Sequence, residues 1–146
     1  MEKRVINHFI DCINKNRTRM LIEKDDKCYL MDGFCIFVID KKEMVLNPKL
    51  FTINNDKAKI IISRIKEEGY KEMLLKYYIP VGDITYHKYI CEGLEVYLNG
   101  EFIKLFGKFD KVEAIDSESL VRISIKKHVI GYLMPIRLPK NIKGEV

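Results

Sequence analysis

The chain has no tryptophan, only four prolines and eight glycines, and no Cys-x-x-Cys pair in its 146 residues. Nor do His8, His87 and His128 form a His-x-x-x-His or His-Glu-x-x-His spacing, so no zinc signature exists. Cys12, Cys28, Cys35 and Cys91 are therefore expected as reduced, buried thiols of a cytoplasmic protein. No serine stands in a Gly-x-Ser-x-Gly elbow, and the isolated Gly107 and Gly131 belong to no phosphate loop, which leaves no catalytic signature and implies no cofactor. No apolar run approaches the roughly 20 residues that span a bilayer, and the charged N-terminus lacks the apolar core of a signal peptide. A non-enzymatic protein without a membrane partner is expected.

What is present is an ordinary globular composition, 47% apolar and 32% charged, expected to form one domain over 1–138 with a polar tail at 139–146. Lysine and arginine number 26 against 21 acids, a net charge of +5, which permits an anionic partner without demanding one.

Helical spacing of Val5, Phe9, Cys12 and Ile13, with Ile6 and Ile10, predicts a helix over 2–15, stopped by Asn16 in a left-handed conformation. Three strands come next, near 18–24, 28–31 and 34–39, joined by turns at Asp25-Asp26-Lys27 and Asp32-Gly33. A second helix is expected from Asp56 to Glu68, capped by Asn55 and ended near Gly69, with Ala58, Ile61, Ile62 and Ile65 on its core face and Ile60 outward as a candidate subunit contact. Strands are then expected at 74–79, ending at Pro80, and at 94–98 and 101–106, the last two flanking an Asn99-Gly100 hairpin turn. Further strands are expected at 109–116, 120–125 and 128–138. The fold class is α+β, with both helices on one face of a mainly antiparallel sheet.

Few residues point to chemistry. Carboxylates cluster at Asp25-Asp26 and near Asp32, Asp40 and Glu43, but Asp25 and Asp32 read as turn formers rather than metal ligands. A Cys91–His87 pair is conceivable only through folding. Tyr77, Tyr78, Tyr86 and Tyr89 lie among lysines, a composition that suits base stacking or, more simply, half-buried strand positions. The outer strip of the first helix carries Arg4, His8, Asp11 and Lys15, flanked by Lys3, Asn7 and Asn14, which reads either as a solvated face or as a phosphate-contacting one. Arg17, Arg19, Lys126 and Lys127 extend that surface if folding gathers them.

The stretch Gly131 to Leu138, with Tyr132, Met134-Pro135 and Arg137-Leu138, resembles the closing strand of the bacterial DNA sliding clamp, the beta subunit of DNA polymerase III. Pro135 inside an apolar run marks an edge or the end of a strand. The resemblance implies a single clamp-like domain that engages duplex DNA through the phosphate backbone, and the small size, lysine-rich composition and single domain suggest a phage or mobile-element type. Such a domain needs homo-oligomers to surround DNA, and its partners are replication or phage proteins. Lys3, Arg4, Lys15, Arg17, Arg19, Lys126 and Lys127 are the expected phosphate contacts. The alternative is a protein–protein interaction module that keeps the fold without DNA binding.

Overall fold

The computed structural model describes residues 1–53 and 55–138; the expected tail at 139–146 lies outside the described residues. Helix α1 (Lys3–Asn14) turns Val5, Phe9 and Cys12 inward, as the spacing requires. Asn16 ends it at φ 51°, and the N–H groups of Asn16 and Arg17 close back onto the carbonyls of Ile13 and Cys12 at 3.2 and 2.8 Å. These are the paired bonds of a left-handed helix cap. Ile10, expected among the apolar positions, is exposed.

Strands β1 (Met20–Lys24), β2 (Lys27–Met31) and β3 (Cys35–Asp40) form successive antiparallel hairpins. A two-residue strand β4 (Thr52–Ile53) adds to β1 in parallel. Helix α2 (Asp56–Ser63) comes next, capped as expected by the Asn55 side chain, which accepts the Ala58 N–H. It is shorter than the expected 56–68. The second half contains β5 (Lys71–Val81), β6 (Ile84–Cys91), β7 (Leu94–Asn99), a short helix α3 (Gly100–Leu105), β8 (Lys111–Ala114), β9 (Val121–Ile125) and β10 (His128–Leu133). Among the described residues these strands form one sheet of order β4-β1-β2-β3-β10-β9-β8-β5-β6-β7. There the β1–β4 pair is parallel, and the other ladders are antiparallel.

Three expectations need correction. First, Asn99-Gly100 is not a hairpin turn. Asn99 ends β7 and caps α3, its side chain accepting the Glu101 N–H at 2.9 Å, so 101–106 is helical rather than a strand. Second, β6 was not expected, and β5 runs through Pro80. Proline fits there because β8 pairs only with Lys71–Met73, leaving that side of β5 without a ladder partner farther on. Third, α1 and α2 do not share a face. Leu21, Leu30 and Phe37 pack in the same core as Phe9, whereas Met20, Ile22, Met31 and Ile36 pack with Ala58 of α2 on the other side. The reason is that β1–β3 are apolar in consecutive residues, and both faces must be covered.

The first core is the larger. In it Phe9 meets Phe37 edge to face, ring centroids 5.7 Å apart, and Phe37 stacks on Phe106 just beyond α3 at 4.8 Å. β5 takes part in two ladders, with β8 at its start and β6 over the rest, and its register with β6 shifts between Leu75 and Tyr77. Beyond β10 the chain continues to Ile136, whose N–H donates to the Tyr97 carbonyl of β7 at 2.9 Å. That single bridge ties the segment after β10 to β7, while β3-β2-β1-β4 form a wing on the other side of β10. Pro135 thus lies past the end of β10, which is an interior strand rather than an edge.

The β3–β10 pairing is short. It covers Cys35–Phe37 against Gly131–Leu133 and stops where Ile130 bulges from the β9–β10 ladder. The Phe106 ring sits over Gly131 so closely that a Cβ there would lie 2.3 Å from it. Bulge and ring together split the sheet below Phe37.

Candidate nucleic-acid interface

Cationic side chains from three segments meet at the free end of the wing. The left-handed cap at Asn16 turns the chain sharply out of α1 and delivers Arg17 and Arg19 to the start of β1. The parallel pairing Met20↔Thr52 brings the 48–52 segment alongside, fastened by the Thr52 N–H on the Arg19 carbonyl at 3.0 Å. Asn47 caps the single turn Pro48–Leu50 by accepting the Lys49 N–H, which sets the position of Lys49. Lys57 comes from the first turn of α2. Arg17, Arg19, Lys49 and Lys57 line one open cleft of about 470 Å³, and no carboxylate is among its described lining residues.

Arg19 is the ordered member. Its Nε donates to the Leu50 carbonyl at 2.7 Å and its Nη1 to the Arg17 carbonyl at 2.9 Å. Two of its five N–H donors are used, and the guanidinium is held in one plane with the others available. Among the described residues, none of these four cations forms an ion pair. Lys49 and Lys57 had no sequence signal that tied them to Arg17 and Arg19, because only the β1–β4 pairing makes them neighbours.

The other expected phosphate contacts fall elsewhere. Lys126 and Lys127 form the β9–β10 turn, both with positive φ. By strand register that turn lies at the opposite end of the sheet from Arg17 and Arg19. Lys3 and Arg4 open α1, and Arg4 lines a second cavity to which Asp40 of β3 also contributes. Arg4 approaches Glu2 at 3.8 Å, and Lys15 pairs with Asp11 at 3.2 Å, so the α1 strip is largely self-neutralised. His8 leaves the strip altogether. It is half-buried, its Nε2 2.7 Å from Asp32 Oδ2. Ile60 projects outward as expected, 53% exposed.

The second cavity occupies the split between β3 and β10. It measures about 800 Å³, with an apolar floor of Phe37, Ile39, Phe106 and Ile130. Its charged rim mixes Arg4, Lys27 and Lys108 with Glu2, Asp40 and Glu43, and Lys27 is already bonded to Asp40. Carboxylates stand among the cations on this rim, so it lacks the uniformly positive lining of the first cleft.

Cys12, His8 and Asp32 approach a hydrolytic triad in composition but not in geometry. Cys12 Sγ lies 3.8 Å from His8 Nε2, the same nitrogen that meets Asp32. A relay needs one ring nitrogen for the carboxylate and the other for the nucleophile. Burial, with Asp32 adding to it, also pushes the Cys12 thiol above its ordinary pKa, away from the thiolate. His87 and Cys91 do not meet; His87 packs edge-on against Tyr78, ring centroids 4.7 Å apart. The remaining tyrosines are engaged in structure. Tyr89 is buried, and Tyr77 receives a 3.1 Å hydrogen bond from the buried Lys88, which also pairs with Glu95. Among the described residues no cluster of histidine, cysteine and carboxylate forms a metal site, and no helix is long and apolar enough to cross a membrane.

No family model, curated protein or solved structure matches this chain.

Proposed function

We propose that the chain is a non-enzymatic nucleic-acid-associated protein that holds the phosphate backbone electrostatically at the Arg17, Arg19, Lys49 and Lys57 cleft. The observation that carries this reading is the convergence of four cations on one concavity with no carboxylate in its described lining. Backbone contacts need no sequence motif, which accords with a sequence that offers none. The sliding-clamp resemblance enters only through the Tyr132 to Leu138 pattern. With α1 and α2 on opposite faces, the helix-lined DNA surface of a clamp is not the model for binding, and encirclement by homo-oligomers is not required.

The test is an anisotropy titration of labelled duplex and single-stranded DNA at low and physiological salt. Affinity should fall steeply with salt, as each neutralised phosphate releases counterion. Combined Arg17→Glu, Lys49→Glu and Lys57→Glu should weaken binding at least tenfold, whereas Arg4→Glu with Lys15→Glu should change it little. Absence of binding at low salt overturns the reading.

A second reading, the protein-interaction module, is favoured by Leu74, Leu75 and Tyr78. These are exposed on β5 beyond its β8 pairing, Leu74 at 68%. Light scattering of wild type and Leu74→Glu tests self-association there. A mass that exceeds the monomer and falls on substitution supports it, with Ile60→Glu as the parallel test of the α2 surface.

A further inference from the structure

The cationic cleft is a point rather than a track. Its four charges come from 17–19, 49 and 57 and are gathered within about 470 Å³. Lys126 and Lys127 lie at the other end of the sheet, and Lys15, the nearest expected contact on α1, is paired with Asp11. A duplex backbone carries one charge per phosphate, spread along the strand, and suits a row of cations. Concentrated positive charge suits a group that concentrates negative charge. A phosphomonoester does so: with a second pKa near 6 it carries about −1.5 to −2 at pH 7, on three acceptor oxygens.

The donors fit that group. The Arg19 guanidinium is fixed by the Leu50 and Arg17 carbonyls, with its remaining N–H groups free to form the paired bonds that guanidinium makes to phosphate. Thr18 and Thr52 also line the cleft. Asn55, another lining residue, accepts the Ala58 N–H with its side-chain oxygen, which leaves its NH₂ as an uncommitted donor. Asp56, the acid nearest in sequence, is not among the lining residues.

We propose that the cleft binds the terminal phosphomonoester of a nucleic-acid strand. This rests on the nucleic-acid reading above and adds that an end, rather than a continuous backbone, is recognised. Free mononucleotides and inorganic phosphate share the chemistry, so they serve as separate arms of the test.

One single-stranded oligonucleotide is prepared with a 5′-phosphate, with a 3′-phosphate and with hydroxyls at both ends. Each is titrated by anisotropy at pH 7.5 and pH 5.5. One phosphorylated form should bind at least tenfold tighter than the hydroxyl form at pH 7.5. That preference should shrink at pH 5.5 as the phosphate takes up a proton, and inorganic phosphate at millimolar concentration should compete it away. Arg17→Glu with Lys57→Glu should abolish the preference while circular dichroism and the melting temperature stay as in the wild type. Lys126→Glu with Lys127→Glu should leave it intact. Equal affinity for all three oligonucleotides overturns the inference and leaves general backbone binding standing. Binding of inorganic phosphate or a mononucleotide with no oligonucleotide binding overturns both the nucleic-acid reading and the strand-end inference.

Discussion

His8 Nε2 lies 2.7 Å from Asp32 Oδ2, and this contact ties α1 to the turn between β2 and β3. The other oxygen of the same carboxylate accepts the N–H groups of Phe34 and Cys35 at 2.8 and 2.7 Å. One buried acid therefore shapes the hairpin turn and receives the helix.

Substituting Asp32 should separate those two roles. Asp32→Ala removes all three acceptor contacts and is expected to cost about 3 kcal/mol, since buried donors lose their partner. Asp32→Asn keeps an acceptor oxygen for the turn and should cost about 1 kcal/mol. Urea denaturation monitored by far-UV circular dichroism measures both. Equal losses would mean that the turn contacts contribute nothing.

The pH dependence of stability has an acidic and an alkaline arm. Burial, then the charge of Lys104, lowers the His87 pKa below its ordinary value. The folded state thus favours the neutral ring. Its contribution is complete above the unfolded pKa of about 6.5 and is lost as pH falls below it. Tyr132 is the opposite case. Burial pushes its pKa up to about 12, so its contribution is complete below the unfolded value of about 10 and is lost as pH rises toward the folded one. Thermal melts from pH 5 to 11 should show His87→Gln narrowing the acidic loss and Tyr132→Phe narrowing the alkaline one. A variant that tracks the wild type in its own arm would refute that assignment.

Two glycines should respond differently to alanine. At Gly131 a Cβ would lie 2.3 Å from the Ile36 carbonyl oxygen and 2.3 Å from the Phe106 ring, so backbone must move. Gly131→Ala is expected to cost about 3 kcal/mol. At Gly107 the obstacle is the end of the flexible Arg4 side chain, and the cost is mainly that of a positive φ, 68°. Gly107→Ala should cost about 1 kcal/mol. Chemical denaturation of the two variants gives the order, and a larger loss at Gly107 would contradict the packing described for Phe106.

Much of the fold was legible where a local signal had one meaning. Val5, Phe9 and Cys12 marked α1, Asn16 its stop and Asn55 the cap of α2. Asn99 had two meanings, turn and helix cap, and the hairpin preference chose wrongly because the next element is α3. β6 was missed because Thr85, His87 and Lys88 interrupt its apolar pattern, although Lys88 is buried between Tyr77 and Tyr97. The side taken by α2 does have a signal in the chain: Met20, Leu21 and Ile22 are consecutive apolar residues, all three buried, and such a run requires cover on two faces. Arg17 and Arg19 were legible as candidates for the cleft. Lys49 and Lys57 were not, because a pairing of two residues in β4 brings them there.

The placement of β10 bears on how the chain folds as it is made. Phe37 of β3 pairs with Gly131, roughly ninety residues later in the chain, and such long-range pairing slows folding. During translation the α1–β3 unit therefore emerges with one strand edge bare. It stays so until β10 leaves the ribosome and joins the two parts of the sheet. Throughout that interval the nascent chain carries an open edge of the kind that recruits foreign strands, so its yield is expected to respond to synthesis speed and chaperone supply as well as to final stability.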